Sequence, residues 1–287
     1  RILPVEDLEV SQFAKKQFEN KGIDFFLNSK FKVLEKTENQ ISITVESNNK
    51  KINLSAPHIL VAIGVNGCTD GLGLDKIGVN VESNSILINK FCQTNVKGIY
   101  AIGDVTTTPC LAHKASYQGN IAAEAISGKD VTKFLKEENI PGCTYSNPQI
   151  ASIGLTEENA IKLGYDLNIG NFPFIGNGKA LAMGEEEGFV KTIFDKKTGE
   201  LLGAHMVGAE VTELLSTYIV GKGLETTPDD FISNIFPHPT MSEMLHESVL
   251  SSQNIAIHFK NVLQYFGNSK HFHVTFQTLS EGDNYLV

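Results

Sequence analysis

The sequence predicts a fold in two parts, α/β first and α+β after it. Three observations carry that expectation. The unbroken apolar run His58-Ile59-Leu60-Val61-Ala62-Ile63-Gly64 has the length and composition of a strand buried on both faces. A second run, Gly98-Ile99-Tyr100-Ala101-Ile102, stops on Gly103-Asp104 and leads through a short loop into an Ala-rich helical segment, the strand–turn–helix order of α/β units. Beyond Gly142 the pattern changes: short strands, a hairpin about Asp195-Lys196-Lys197-Thr198-Gly199, then helices.

In chain order, residues 7–21 read as a helix with Val10, Phe13, Ala14 and Phe18 on one face and Gly22 ending it. Short strands are expected at 31–34, 41–45 and 51–54, joined by polar turns, before the apolar strand at 58–64. A looser stretch, 67–95, precedes the strand that ends at Asp104. A helix follows over 111–126, with Gly128 as its stop. Charges and Pro141 mark a boundary within 130–142. Strands at 144–146 and 150–154 then lead to a helix that Thr156 can cap, with Glu157 and Glu158 in its first turn. Hairpin strands are expected at 189–194 and 201–207, and helices at 210–222 and 240–252. Residues 260–287 carry no assignment; within them His271 and His273 lie in an alternating stretch and read as solvated side chains rather than metal ligands.

A chain of 287 residues fits two or three domains, and 41% hydrophobic with 20% charged residues is an ordinary globular composition. The net charge of −9 argues against a nucleic-acid or polybasic membrane surface. No run approaches the length of a membrane span. The four cysteines, at 68, 92, 110 and 143, form no Cys-x-x-Cys and read as free thiols of a reducing compartment, the cytoplasm or, in a eukaryote, the mitochondrial matrix. The opening on Arg1 reads as the middle of a longer protein.

Two stretches carry chemistry. In the first, Gly103 lacks a Cβ and lets a ligand approach the backbone, and Asp104 follows at the expected carboxyl end of a strand, the edge where open α/β sheets bind ligands. A carboxylate there can accept strong hydrogen bonds from hydroxyl groups, although a lone Gly-Asp would equally make a turn. The start of the next helix, Cys110-Leu111-Ala112-His113, offers free N–H groups to negative charge. Cys110 by itself reads as a small loop hydrophobe. In the second stretch, His238-Pro239-Thr240-Met241-Ser242-Glu243, a histidine five residues before a glutamate can form a proton-transfer pair. Thr240-x-x-Glu243 is also a capping box, and spacing alone favours that plainer reading.

Together these stretches resemble the pyridine nucleotide–disulfide oxidoreductases, and His-Pro-Thr-x-Ser-Glu resembles the dihydrolipoamide dehydrogenase branch. The likeness extends to Arg1-Ile2-Leu3-Pro4, Leu60-Val61-Ala62-Ile63-Gly64, Gly71-Leu72-Gly73-Leu74, Gly178-Lys179-Ala180-Leu181-Ala182-Met183 and Gly188-Phe189-Val190-Lys191, and covers about residues 1–259. The resemblance implies the carboxyl-terminal part of an NAD-binding Rossmann-like domain (1–66), a central FAD-contacting segment (67–138) and an α+β interface, or dimerisation, domain (139–259). It implies FAD and NAD as cofactors. Asp104 would hold the flavin ribityl chain, with Gly103 beside it. Cys110, Leu111, Ala112 and His113 would lie against the isoalloxazine, and Gly64 beside the nicotinamide nucleotide. His238 would be the acid/base for a dithiol and Glu243 its partner, reaching into the active site of the second subunit of a homodimer. The lipoyl-bearing acyltransferase of a 2-oxoacid dehydrogenase complex would be the partner, with neither nucleic acid nor membrane involved.

The sequence also departs from the family. Val65-Asn66-Gly67-Cys68 replaces the usual Arg and Pro-Asn after Gly64, and Phe236 stands where another His is frequent. Neither Gly-x-Gly-x-x-Gly nor Cys-x-x-x-x-Cys occurs. The alternatives are a sibling disulfide reductase, a flavin transhydrogenase, or a non-catalytic module that only dimerises.

Overall fold

The computed structural model describes residues 1–47, 50–132 and 134–258. The unassigned stretch 260–287, with His271 and His273, lies outside the described residues. Helix α1 (Leu8–Asn20) is capped by Asp7, whose carboxylate accepts the Glu9 N–H. Strands β1 (Ser29–Lys36), β2 (Ile41–Ser47) and β3 (Lys50–Ala56) form an antiparallel meander in that order. A two-residue pair, β4 (Val81–Glu82) and β5 (Ser85–Ile86), precedes helix α2 (Ala112–Ile126). The third sheet is antiparallel, in the order β6-β7-β10-β9-β8. It comprises β6 (Gly142–Thr144), β7 (Gln149–Gly154), β8 (Leu167–Pro173), β9 (Phe189–Asp195) and β10 (Leu201–Gly208). Short helices α3 (Glu157–Lys162) and α4 (Gly178–Met183) flank β8, and α5 (Val211–Leu214), α6 (Ser216–Gly223), α7 (Pro228–Ile232) and α8 (Glu243–Ser252) follow β10.

Both faces of this sheet are covered, which explains why every residue of β9 and β10 is buried. On one face Phe172, Val190, Phe194, Ala204 and Met206 pack against Leu215, Tyr218, Phe231, Met244 and Val249 of the helices. On the other, Ile150, Phe189 and Val207 pack against Val10, Ala14 and Phe13 of α1, where the Phe13 and Phe189 rings meet edge to face at 5.5 Å. Helix α8 lies so close over β8 that a side chain at Gly170 would collide with the Ser248 carbonyl.

The structure corrects several elements. Residues 58–64 form no strand; the segment is irregular and exposed, with Leu60 at 91% and Ile63 at 85%. Apolar composition on both faces produces a strand when neighbours supply ladder hydrogen bonds and cover, and no other described strand pairs with this run. Residues 98–102 form no regular strand either. They make one isolated bridge, Gln93 to Tyr100, and Gly103–Val105 is a single 3-10 turn, so Asp104 sits on a turn rather than at a strand end. The helix expected over 210–222 divides into α5 and α6. The one expected over 240–252 begins at Glu243, because the Thr240 hydroxyl is engaged with Pro237 and Ser242. The strand expected at 144–146 is β6, two residues earlier. Strand β8 and helices α4 and α7 are additions: Asn168, Gly170, Asn171 and Pro173 hide β8 from pattern reading, and pairing with β9 makes it.

Candidate active site

The pair near the carboxyl end is formed. His238 Nδ1 lies 2.9 Å from Glu243 Oε1, and Glu243 Oε2 accepts the Thr240 N–H at 2.8 Å. Each carboxylate oxygen has its own donor, so the capping and pairing roles coexist in one side chain. Burial alone would raise the Glu243 carboxyl; the Thr240 N–H, the His238 hydrogen bond and the nearby charges of His238 and His258 bring it below the ordinary glutamate value. The His238 side chain is 77% exposed, so its other ring nitrogen is free to face a substrate. Pro237 and Pro239 flank it and restrict its backbone. Phe236, at the position where a second His is frequent, lies 5.1 Å ring to ring from His246 of α8.

The second group surrounds the Gly103–Val105 turn. Gly103 has φ +75°, and a Cβ there would sit 3.3 Å from the Cβ of Ala115 on α2. Its N–H donates to Gln118 Oε1 at 2.8 Å, and its carbonyl accepts the Thr106 hydroxyl at 2.7 Å. These bonds hold Asp104 outward, where its carboxylate makes no hydrogen bond among the described residues. The Cys110 thiol lies 3.9 Å from the Asp104 carbonyl, which brings the loop end back to the turn. Leu111 is the N-cap of α2 without a side-chain cap, so the first N–H groups of a 15-residue helix, at Ala112 and His113, remain available. The His113 ring reaches the Pro141 carbonyl at 2.9 Å, tying the helix start to the segment before β6.

The expected residues thus fall into two formed groups, His238 with Glu243 and Gly103, Asp104, Cys110, Leu111, Ala112 and His113 together. No hydrogen bond or ion pair joins one group to the other among the described residues. Gly64 stands apart at φ +116° in the exposed irregular run. Sequence reading missed Gln118, which fixes Gly103, whereas Thr240, whose N–H fixes Glu243, belongs to the capping box expected from the sequence. For Gln118 a signal exists: Lys114, Gln118 and Ile121 fall on one face of α2, so two polar residues occupy an otherwise buried stripe. The four cysteines are free, as expected from their spacing.

Both the sequence and the fold of this chain have counterparts among known proteins. Residues 1–119 match the model of the pyridine nucleotide-disulphide oxidoreductases, and residues 140–249 that of their dimerisation domain. The chain is 50% identical over 260 residues to the dihydrolipoyl dehydrogenase of Zymomonas mobilis subsp. mobilis, covering 90% of this chain and 56% of that protein. It is 47% identical over 252 residues to the dihydrolipoyl dehydrogenase of Rhizobium etli, covering 88% and 52%. The chain therefore spans about half the length of the curated relatives it matches. Among solved structures, LpdA from Mycobacterium tuberculosis superposes with a TM-score of 0.78 at 24% identity, over 87% of this chain and 54% of that one. The HOCl-induced flavoprotein disulfide reductase RclA from Escherichia coli gives 0.76 at 23%, over 87% and 57%. At that identity the structures establish a shared fold, while both parts of the sequence match models of one family: the chain belongs to the pyridine nucleotide-disulphide oxidoreductases.

Proposed function

We propose that this chain carries the acid/base and flavin-contacting groups of a dihydrolipoyl dehydrogenase. The reaction would be oxidation of dihydrolipoyl groups, borne by the acyltransferase of a 2-oxoacid dehydrogenase complex, with FAD as the mediator and NAD as the acceptor. Within that reading residues 1–66 contact NAD, 67–138 contact FAD, and 139–259 meet the second subunit of a homodimer. The observation that carries it is the 2.9 Å contact from His238 Nδ1 to Glu243 in a chain half identical to a dihydrolipoyl dehydrogenase.

Oxidation of the dithiol releases two electrons and two protons, and its first step needs a thiolate. With Nδ1 held by Glu243, the other nitrogen of His238 takes the thiol proton, and the carboxylate stabilises the resulting imidazolium. The Thr240 N–H keeps Glu243 from turning away during that transfer. FAD, when bound, supplies the two-electron step between dithiol and NAD. The residues present fit one side of that group: the Gly103 backbone is open to close approach, the Asp104 carboxylate can accept ribityl hydroxyls, and the α2 start offers N–H groups to the ring. Gly64, in its exposed run, forms no comparable cradle for NAD among the described residues.

His238→Gln in a full-length, flavin-loaded dihydrolipoyl dehydrogenase that includes this sequence should lower lipoamide turnover by about 10²- to 10⁴-fold, the usual contribution of a general acid or base. Flavin content, read from its visible absorbance, should remain that of the parent. Undiminished turnover would remove His238 from the mechanism and the reading with it.

A further inference from the structure

Two lysines with very different surroundings are buried in this molecule. Lys191 on β9 is 1% exposed and meets three carboxylates, Glu157 at 2.6 Å, Asp7 at 3.0 Å and Glu9 at 3.4 Å. Lys114 in the first turn of α2 is 3% exposed and meets none among the described residues. Its Nζ donates to the Thr107 carbonyl and, at 3.4 Å, to the Thr106 hydroxyl. Both acceptors are neutral. An ammonium has three N–H groups and a full charge, and taking it out of water without a counter-charge is costly. Lys191 shows what the same fold provides when the charge is to be balanced internally.

Lys114 lines a cleft of about 210 Å³ together with Lys90, Thr107, Thr108, Gln118 and Glu137. Gly103, Asp104 and residues 110–113 do not contribute to its walls, but Gln118, which holds the Gly103 N–H, does, so the cleft adjoins the group around the Gly103 turn without including its ligand-facing residues. At its edge Lys90 stands over the Phe134 ring, 4.4 Å from the centroid. Two lysines against the single carboxylate of Glu137 leave the cleft one positive charge in excess. Its volume is below that of typical drug-sized pockets and suits a group of a few heavy atoms.

We propose that this cleft binds a small oxyanion, a phosphate or carboxylate group, with Lys114 as its charge partner and the hydroxyls of Thr107 and Thr108 as further donors. Charge-assisted hydrogen bonds from a fixed ammonium favour such a group over a neutral one of equal size. Glu137 opposes the anion and limits its affinity. The inference does not depend on the redox reading of the protein.

The test is thermal unfolding of the 287-residue chain in titrations of inorganic phosphate and of acetate, each against chloride at matched ionic strength. A saturable rise in melting temperature is expected with the oxyanions and not with chloride. Lys114→Met should weaken the phosphate response at least about tenfold, and Glu137→Gln should strengthen it. An equal response to chloride, or a phosphate response unchanged in Lys114→Met, would overturn the proposal. Should Lys114→Met fail to fold, Glu137→Gln decides on its own: unchanged phosphate affinity in that variant refutes the site.

Discussion

Glu243 illustrates how one side chain can satisfy two demands. One oxygen holds His238 and the other accepts the Thr240 N–H. Its carboxyl is below the ordinary value in the folded chain, so the stability contributed by the ionised Glu243 carboxylate is fully present above that ordinary value and is lost as pH falls through the lower, folded one. Around the other group, Gly103 meets two requirements at once, a left-handed backbone and a close neighbour at Ala115. Gly103→Ala should therefore destabilise the chain by about 1–2 kcal/mol, from the positive φ together with the crowded Cβ, as read by denaturant unfolding.

Among the elements, α1 depends most on charge. Its cap Asp7 also accepts the Glu157 N–H of α3 at 3.1 Å and the Lys191 ammonium of β9, so one carboxylate joins two helix starts to the sheet. Burial alone would raise Asp7, yet the charge of Lys191 and the hydrogen bonds from Lys191 and Glu157 hold it low. Burial alone would lower Lys191, yet Glu9, Asp7 and Glu157 hold it above the ordinary lysine value. His205 is kept neutral by burial; its Nε2–H donates to the Leu155 carbonyl at 2.8 Å. Lys191→Met should cost about 3–5 kcal/mol, because it strands a buried Asp7 charge, again read by denaturant unfolding. Glu6 behaves oppositely. Burial raises its carboxyl, and Oε2 is without a partner among the described residues, so its ionisation works against folding as pH rises through the folded value. Relative to the parent, Glu6→Gln should gain stability as pH rises from the ordinary glutamate value through the raised, folded one, in melts recorded across pH; a flat difference would show that Glu6 does not titrate on folding.

At the scale of the molecule, the five-stranded sheet is covered on both faces, whereas the run at residues 58–65 is bare, with Leu60, Val61, Ile63 and Val65 all exposed. Under the proposed function, the described residues would likewise offer groups to only one side of a flavin. The purified 287-residue chain is therefore expected to retain FAD well below one equivalent, measured by visible absorbance after gel filtration; a stoichiometric flavin spectrum would show that these residues suffice. Among the described residues no helix is long and apolar enough to cross a membrane, and no cluster of His, Cys, Asp and Glu could hold a metal ion.

The sequence alone determined what short-range physics decides. Helix α1 with its Asp7 start, the meander, the β9–β10 hairpin and the Thr156 cap are each specified by periodicity, turn residues and capping within a few positions. The spacing of His238 and Glu243 likewise allowed a pair, and left open whether the glutamate would cap a helix instead. Tertiary structure decided the rest. It gave each Glu243 oxygen a separate donor, set Asp104 on a turn, and left the apolar run at 58–64 uncovered. It gave one buried lysine three carboxylates and the other none. Strand formation and the ionisation of buried groups depend on neighbours distant in sequence. Local pattern can nominate such residues, but what packs against them fixes their state.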